Sequence, residues 1–304
     1  MRLLSQVLIL TACQTLFATA QPIEKRATKF TSVFAFGDSY TDNRSLNDFY
    51  QSGSTHVSKE SAQLAGASYL GRAADRALWV ENLVLDKYTG ADLYDFARAG
   101  ATANNKLIYR NIPDMDTQVN TFKKSDVASK SKSNAIHFLW IGVNDINLLW
   151  GKYQDDTSER RQTLDGIVNT IKNDLDIVKN AGAKNIVLMG LIPLQEVPMY
   201  YKSYCNDSSR EKLKQLILSY NSKLKTLTEE FASKNKGTKI LFFDSYVQFY
   251  KMFDSSTIVN NRFVNCNKAK NCDNYIWWDE LHPSGATHKK ISETVHNKIT
   301  EAGW

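Results

Sequence analysis

The feature that most constrains the fold is a series of five short apolar segments separated by longer amphipathic ones. The segments cover residues 32–36, 92–96, 135–141, 185–192 and 239–243. Several are apolar at consecutive positions, as in residues 186–189, which is typical of strands buried on both faces of a parallel sheet. The chain is therefore expected to form a sheet covered on both sides.

The amphipathic segments between them predict helices. Residues 158–180 place apolar side chains three or four positions apart, and helices are also predicted over 208–233 and about 284–300. Alternating strands and helices imply right-handed crossovers, and hence an α/β fold: a three-layer α/β/α sandwich with a five-stranded, mainly parallel sheet. No linker, repeat or shift in composition divides residues 27–304, so we expect one domain there.

The first 26 residues resemble a secretory leader. A charged Arg2 precedes an apolar stretch that ends in Ala18-Thr19-Ala20, the small-x-small pattern of a cleavage site, so residues 1–20 are predicted to be a signal peptide. The dibasic pair Lys25-Arg26 is typical of Kex-type processing and predicts a short pro-segment over residues 21–26. No later apolar run is long enough to span a bilayer. We therefore expect a secreted, extracellular protein without a stable membrane anchor.

Composition excludes several other classes. The formal charge is +6, but the basic residues are scattered, so we expect no nucleic-acid partner. We find no His/Cys cluster with ligand spacing, no phosphate loop and no dinucleotide fingerprint, so neither a metal nor a cofactor is predicted. Four cysteines are too few for a disulfide scaffold, and we expect a monomer.

A candidate nucleophile follows the first predicted strand. The chain reads Phe36-Gly37-Asp38-Ser39-Tyr40 there, and Gly37 permits a tight turn directly after the strand. In parallel sheets, chemistry takes place beyond the carboxyl ends of the strands. Ser39 is therefore placed where a nucleophile is expected, although a capping serine in an ordinary turn would give the same four residues.

A serine nucleophile needs a base, and the base needs an acid to orient it. The chain has five histidines. Only His282 lies in a segment that Pro283 keeps non-helical, with Asp279 three residues before it. A turn at that spacing brings the carboxylate against one imidazole nitrogen and leaves the other for Ser39. The alternative for such a pair on its own is a solvated loop.

Together these motifs resemble the GDSL/SGNH hydrolases. The order Ser39, Asp279, His282 matches the family's catalytic triad. Residues 96–102 resemble the block whose glycine N–H serves the oxyanion hole, and residues 141–145 resemble the Gly-x-Asn-Asp block. The resemblance implies that Ser39, Gly100 and Asn144 form the oxyanion hole. Two departures, Ala99 in place of a second glycine and Tyr40 in place of leucine, remove no catalytic atom.

The resemblance extends to fungal acetylesterases of carbohydrate esterase family sixteen. It implies a serine ester hydrolase that removes acetyl groups from plant or cell-wall carbohydrate, acting on an acylated carbohydrate or a small ester. A lipase or lysophospholipase that acts on longer acyl esters is the alternative. A third possibility, a carbohydrate-binding wall protein without activity, conflicts with the presence of all four motifs.

Other residues carry secondary predictions. Trp277 and Trp278 are candidates for an apolar wall beside a sugar ring or an acyl chain, with core packing as the alternative for each. Cys266 and Cys272 flank a short loop and are the expected disulfide in an oxidising compartment, although Cys205 remains an alternative partner. Sequons at Asn206 and Asn43 are the candidate N-glycosylation sites.

Overall fold

A computed structural model describes residues 30–44, 71–85, 88–203, 207–254, 263–266 and 271–304. Four of the predictions concern other parts of the chain. The signal peptide at 1–20, the pro-segment at 21–26, the alternative disulfide partner Cys205 and the sequon at Asn206 all lie outside the described residues.

The predicted parallel sheet is present. It contains β1 (Ser32–Gly37), β2 (Asp92–Asp95), β3 (Ala135–Trp140), β4 (Asn185–Met189) and β5 (Lys239–Phe243). All four neighbouring pairs are parallel. Strand β4 ends at Met189, before the apolar run does, and Leu191 and Ile192 lie beyond the strand but stay fully buried. The apolar run at residues 185–192 therefore indicates which residues are buried and not where the strand ends.

Helices cover the sheet, as predicted. In the described part of the chain they are α1 (Trp79–Leu83), α2 (Met115–Lys124), α3 (Val143–Lys152), α4 (Ser158–Asn180), α5 (Pro198–Ser203), α6 (Asp207–Lys234), α7 (Ser245–Phe253) and α8 (Gly285–Glu301). Short 3₁₀ turns occupy Asp126–Lys130 and Leu194–Glu196. None of the described helices has the length and apolar content needed to cross a bilayer.

The strand order β2-β1-β3-β4-β5 determines where a site can form. From β1 the chain continues to β2 at one edge of the sheet, and from β3 it continues to β4 and then to β5 at the other edge. The connections after the neighbouring strands β1 and β3 therefore lead in opposite directions. A crevice opens at such a switch point, beyond the carboxyl ends of the strands. Ser39 follows β1 and Asn144 follows β3, and both therefore lie at this crevice.

The core contains a histidine that cannot act as the base. His137 lies on β3, is fully buried and stacks on Phe34 with ring centroids 4.8 Å apart. Its Nε2 is 2.9 Å from the Ser131 hydroxyl. Burial lowers the pKa of His137 to about 3, so the ring stays neutral and structural.

Candidate active site

Three side chains from the two ends of the chain meet at the switch point. The Nε2 atom of His282 lies 2.9 Å from the Oγ atom of Ser39. The Nδ1 atom of the same ring lies 2.8 Å from Oδ2 and 3.0 Å from Oδ1 of Asp279. Because an ionised carboxylate only accepts hydrogen bonds, Nδ1 carries the proton and Nε2 accepts one from Ser39. This is the geometry of an activated serine nucleophile.

The carboxylate of Asp279 is held in its ionised form. Its Oδ1 also accepts hydrogen bonds from the backbone N–H groups of Leu281 and His282, at 2.8 and 2.7 Å. Burial alone would raise the pKa of Asp279, but the hydrogen bonds and the charge of His282 outweigh burial and leave the pKa below its ordinary value. An ionised Asp279 both orients the imidazole ring and stabilises its protonated form.

Contacts with distant elements fix the segment that carries Asp279 and His282. The hydroxyl of Tyr40 donates to the carbonyl of Leu281 at 2.9 Å, which ties this segment to the residue next to Ser39. The backbone N–H of Trp278 donates to the carbonyl of His282 and closes the turn. Ser284 then caps α8 by accepting from the Thr287 N–H at 3.2 Å. The turn predicted from the three-residue spacing is therefore rigid.

The predicted disulfide is confirmed and lies next to this turn. Cys266 and Cys272 are bonded to each other, and the backbone N–H of Cys266 donates to the carbonyl of Trp277 at 2.9 Å. The bridge is therefore hydrogen-bonded to residues 277–282, the segment that carries Asp279 and His282. Such a covalent link stabilises the folded state by restricting the conformational freedom of the unfolded chain.

Three groups are expected to face a developing oxyanion: the N–H groups of Ser39 and Gly100 and the side chain of Asn144. Among the described residues, neither the Ser39 N–H nor the Gly100 N–H has a hydrogen-bond partner. Gly100 has φ +85°, a conformation that side chains rarely adopt. Asn144 lies in the first turn of α3, and its Nδ2 donates to the carbonyl of Ala101 at 2.8 Å, which leaves one amide hydrogen unused. These donors match the requirements of an oxyanion hole.

Gly142 explains how Asn144 reaches this position. It is the N-cap of α3 and has φ +118°. A Cβ atom there would lie 2.5 Å from the hydroxyl oxygen of Tyr220, which itself donates to the carbonyl of Ile141. Only glycine fits between β3 and α6 at this point, and it allows the helix to begin immediately after the strand.

Two buried carboxyl groups fix the segment that presents Gly100. Asp42 accepts from the N–H of Ala99 at 2.7 Å, and Asp145 accepts from the N–H of Ala103 through both oxygens at 3.1 Å. Burial raises the pKa of Asp42, and raises that of Asp145 to about 7. Because the N–H groups of Ala99 and Ala103 are bonded to these carboxyl groups, the segment is held in place while the Gly100 N–H stays available. Sequence reasoning missed this role, although Asp145 belongs to a recognised motif.

The two tryptophans differ in their environment. Trp277 is fully buried and stacks on Phe249 at 5.9 Å, so its ring belongs to the core and cannot line a substrate site. This corrects the prediction for Trp277 and favours its alternative. Trp278 is half-buried, with its ring centroid 6.5 Å from that of His282, and it stays a candidate wall of the site.

The structure contradicts the prediction of a glycan at Asn43. The residue is fully buried, and its backbone N–H donates to a carboxyl oxygen of Asp95 at 3.0 Å. An oligosaccharide requires a side chain that reaches the surface. The segment after Ser39 turns inward instead, towards β2.

Within the described residues, no cluster of three or more His, Cys, Asp or Glu side chains is arranged to bind a metal ion.

Comparison with known proteins identifies the class. A family model described as GDSL-like lipase/acylhydrolase matches residues 33–295. The chain belongs to this family, as its motifs predicted, and it is an ester hydrolase. It is 29% identical to an acetylesterase from Thermothelomyces thermophilus, over 91% of each chain. It is 25% identical to an acetylesterase from Hypocrea jecorina over 89% of each chain, and 22% identical to a GDSL esterase/lipase from Arabidopsis thaliana over 93% of this chain and 92% of that one.

Proposed function

We propose that the protein is a serine acetylesterase that removes acetyl groups from carbohydrate through Ser39, His282 and Asp279. The observation that carries the proposal is the continuous hydrogen-bond chain from the Ser39 hydroxyl through the imidazole to the carboxylate. The acetyl preference is supported by the two fungal relatives named acetylesterases. Trp278 beside His282 offers an apolar face for a sugar ring.

The geometry suits a two-step acyl transfer. Ser39 Oγ attacks the ester carbonyl while its proton moves to Nε2 of His282, and the carbonyl oxygen gains negative charge. The N–H groups of Ser39 and Gly100 and the side chain of Asn144 stabilise that charge. His282 returns the proton to the departing sugar hydroxyl, which leaves an acyl-serine. Water then attacks with His282 as base, releasing acetate and restoring Ser39.

The test of this proposal measures hydrolysis of p-nitrophenyl acetate and release of acetate from acetylated xylo-oligosaccharides. The wild-type chain is expected to cleave both, and Ser39→Ala to lose at least about 10³-fold in kcat/KM, as removal of a triad nucleophile does elsewhere. Equal rates for wild type and Ser39→Ala would contradict the proposed site. Cleavage of the small ester without release of acetate from the oligosaccharide would contradict the carbohydrate substrate.

One observation favours the alternative of longer acyl esters. A groove of about 210 Å³ lies beside α3, and no acidic side chain lines it. The face of α3 that carries Asn144 also carries Leu148 and Lys152, four and eight residues further on, and both line the groove. Its apolar lining consists of Leu107, Ile108, Tyr109, Leu148, Leu149 and Tyr153. An apolar lining suits a hydrocarbon chain better than a sugar ring, because the sugar hydroxyl groups would lack hydrogen-bond partners there.

A series of p-nitrophenyl esters from acetate to palmitate separates these functions. Activity that peaks at acetate supports the acetylesterase, whereas a peak at longer chains supports the alternative. In that second case Leu148→Ser should reduce activity on long esters several-fold and leave acetate unchanged. Val247→Ser, an equally apolar exposed position on α7 outside the groove, is the matched control.

We further propose that the mature protein is a secreted single domain over residues 27–304, without a stable membrane anchor and monomeric. The Cys266–Cys272 disulfide supports an oxidising compartment. N-terminal sequencing of protein collected from the medium of a secreting host should begin at Ala27. Retention of residues 1–20 in the mature chain would contradict the leader.

A further inference from the structure

The orientation of the Asn144 side chain is set by two different partners. A side-chain amide has an oxygen and a nitrogen of similar shape, and which atom faces the oxyanion depends on its neighbours. Its Nδ2 donates to the carbonyl of Ala101 at 2.8 Å, and its Oδ1 accepts from Nη1 of Arg110 at 3.3 Å. A carbonyl only accepts and a guanidinium only donates. The pair therefore permits one orientation, with the amide hydrogens on the side of the Gly100 segment.

Arg110 is presented to Asn144 by a segment that does not depend on its side chain. Its backbone N–H donates to Oδ1 of Asn105 at 2.8 Å, and Nδ2 of Asn105 donates to the carbonyl of Ile112. The guanidinium also lies beside Gly100, since Nη2 would be 3.4 Å from a Cβ atom at that position. The cation thus contacts the amide oxygen of Asn144 and lies beside the glycine of the proposed oxyanion hole. Changing the side chain leaves these backbone contacts intact.

We propose that Arg110 is a positioning residue for ester hydrolysis, which acts by holding the Asn144 amide with Nδ2 towards the oxyanion. The inference rests on the proposed function of the site. Without the guanidinium, Oδ1 of Asn144 loses its donor, and only the bond from Nδ2 to the Ala101 carbonyl still opposes rotation of the amide. A rotated amide would present an oxygen lone pair to the developing negative charge. The loss would therefore fall on the transition state, not on substrate binding.

Arg110→Met, which keeps the aliphatic stem but removes every donor, tests the proposal on p-nitrophenyl acetate. Removing a complete oxyanion donor costs about 10²- to 10³-fold in kcat. Arg110 acts indirectly, so we expect kcat to fall about tenfold and KM to change by less than about twofold. Lys106→Met is the control, because Lys106 is an exposed cation of the same segment.

A double-mutant cycle with Asn144→Ala separates positioning from general disruption of the segment. If Arg110 acts through Asn144, then Arg110→Met should have little further effect on kcat in the Asn144→Ala background. A full tenfold loss in that background, or unchanged kcat in the single variant, would overturn the proposal. Failure of the proposed function is distinguishable, because wild type and Ser39→Ala would then be equally inactive.

Discussion

The exchange Asp279→Asn tests the electrostatic part of the site with little change in shape. Three N–H donors converge on this carboxylate, from the ring of His282 and from the backbone of Leu281 and His282. Asparagine has one acceptor oxygen and no charge, so the protonated imidazole loses its counter-charge. Two unit charges roughly 4 Å apart at an effective dielectric of 20 attract by about 4 kcal/mol. That energy corresponds to about a 10³-fold loss in kcat.

Steady-state hydrolysis of p-nitrophenyl acetate measures the effect, with KM expected to change little. Glu280→Gln is the matched control, because it removes an acid from the neighbouring position. Glu280 is exposed and contacts Lys202 and Asn265 instead of His282. Its variant should retain activity within about twofold, as exposed ion pairs contribute little.

A loss of less than about tenfold in Asp279→Asn would refute this reasoning. It would mean that the Asp279 charge does not stabilise the imidazolium in the transition state, despite the 2.8 Å contact. A loss that is equal for Asp279→Asn and Glu280→Gln would point to a disturbed turn. Thermal unfolding of each variant distinguishes this case, since a disturbed turn lowers Tm.

Three further predictions concern residues around the core and the turn. Tyr40→Phe removes the bond to the Leu281 carbonyl and should reduce the free energy of unfolding by about 1 to 2 kcal/mol in urea titrations, with lower kcat. Burial raises the pKa of Asp174 to about 8, so this carboxyl keeps its proton in the folded chain at a pH where the unfolded chain has lost it. The free energy of unfolding should therefore fall as pH rises from about 4 to 8. In urea titrations at pH 5 and pH 8, Asp174→Asn should reduce this fall by up to about 4 kcal/mol. Replacing Cys266 and Cys272 together by serine should cost about 2 kcal/mol of unfolding free energy, and an unchanged Tm would contradict this.

Local patterns were sufficient to predict the layered sheet and to single out Ser39, Asp279 and His282, whose side chains meet in the structure. A strand buried on both faces must be apolar at successive positions, so the runs at residues 32–36 and 186–189 indicated strands directly. The helix boundaries at Ser158–Asn180 and Gly285–Glu301 followed from side-chain periodicity and capping residues. Ser39 and His282 were recognisable because each lies in a short motif, although 243 residues separate them.

Burial of individual residues did not follow from such patterns. Trp277 and Trp278 are adjacent and chemically identical, yet one packs in the core and the other lies at the site. Asn43 belongs to a valid sequon but points into the fold beside β2. Whether a side chain at these positions faces the solvent depends on which distant segment packs against it. The order of residues along the chain does not show which segment that is.

The sequence by itself determined the class of fold and the family, and it singled out Ser39, Asp279 and His282 as the proposed triad, because periodicity and short motifs reflect local requirements. Only the tertiary structure showed how the oxyanion segment is supported. Asp42 reaches Ala99 across 57 residues, Asp145 reaches Ala103 across 42, and Arg110 reaches Asn144 across 34. A buried polar group needs a partner with matching hydrogen-bond chemistry, and the order of the strands β2-β1-β3 brings these partners together.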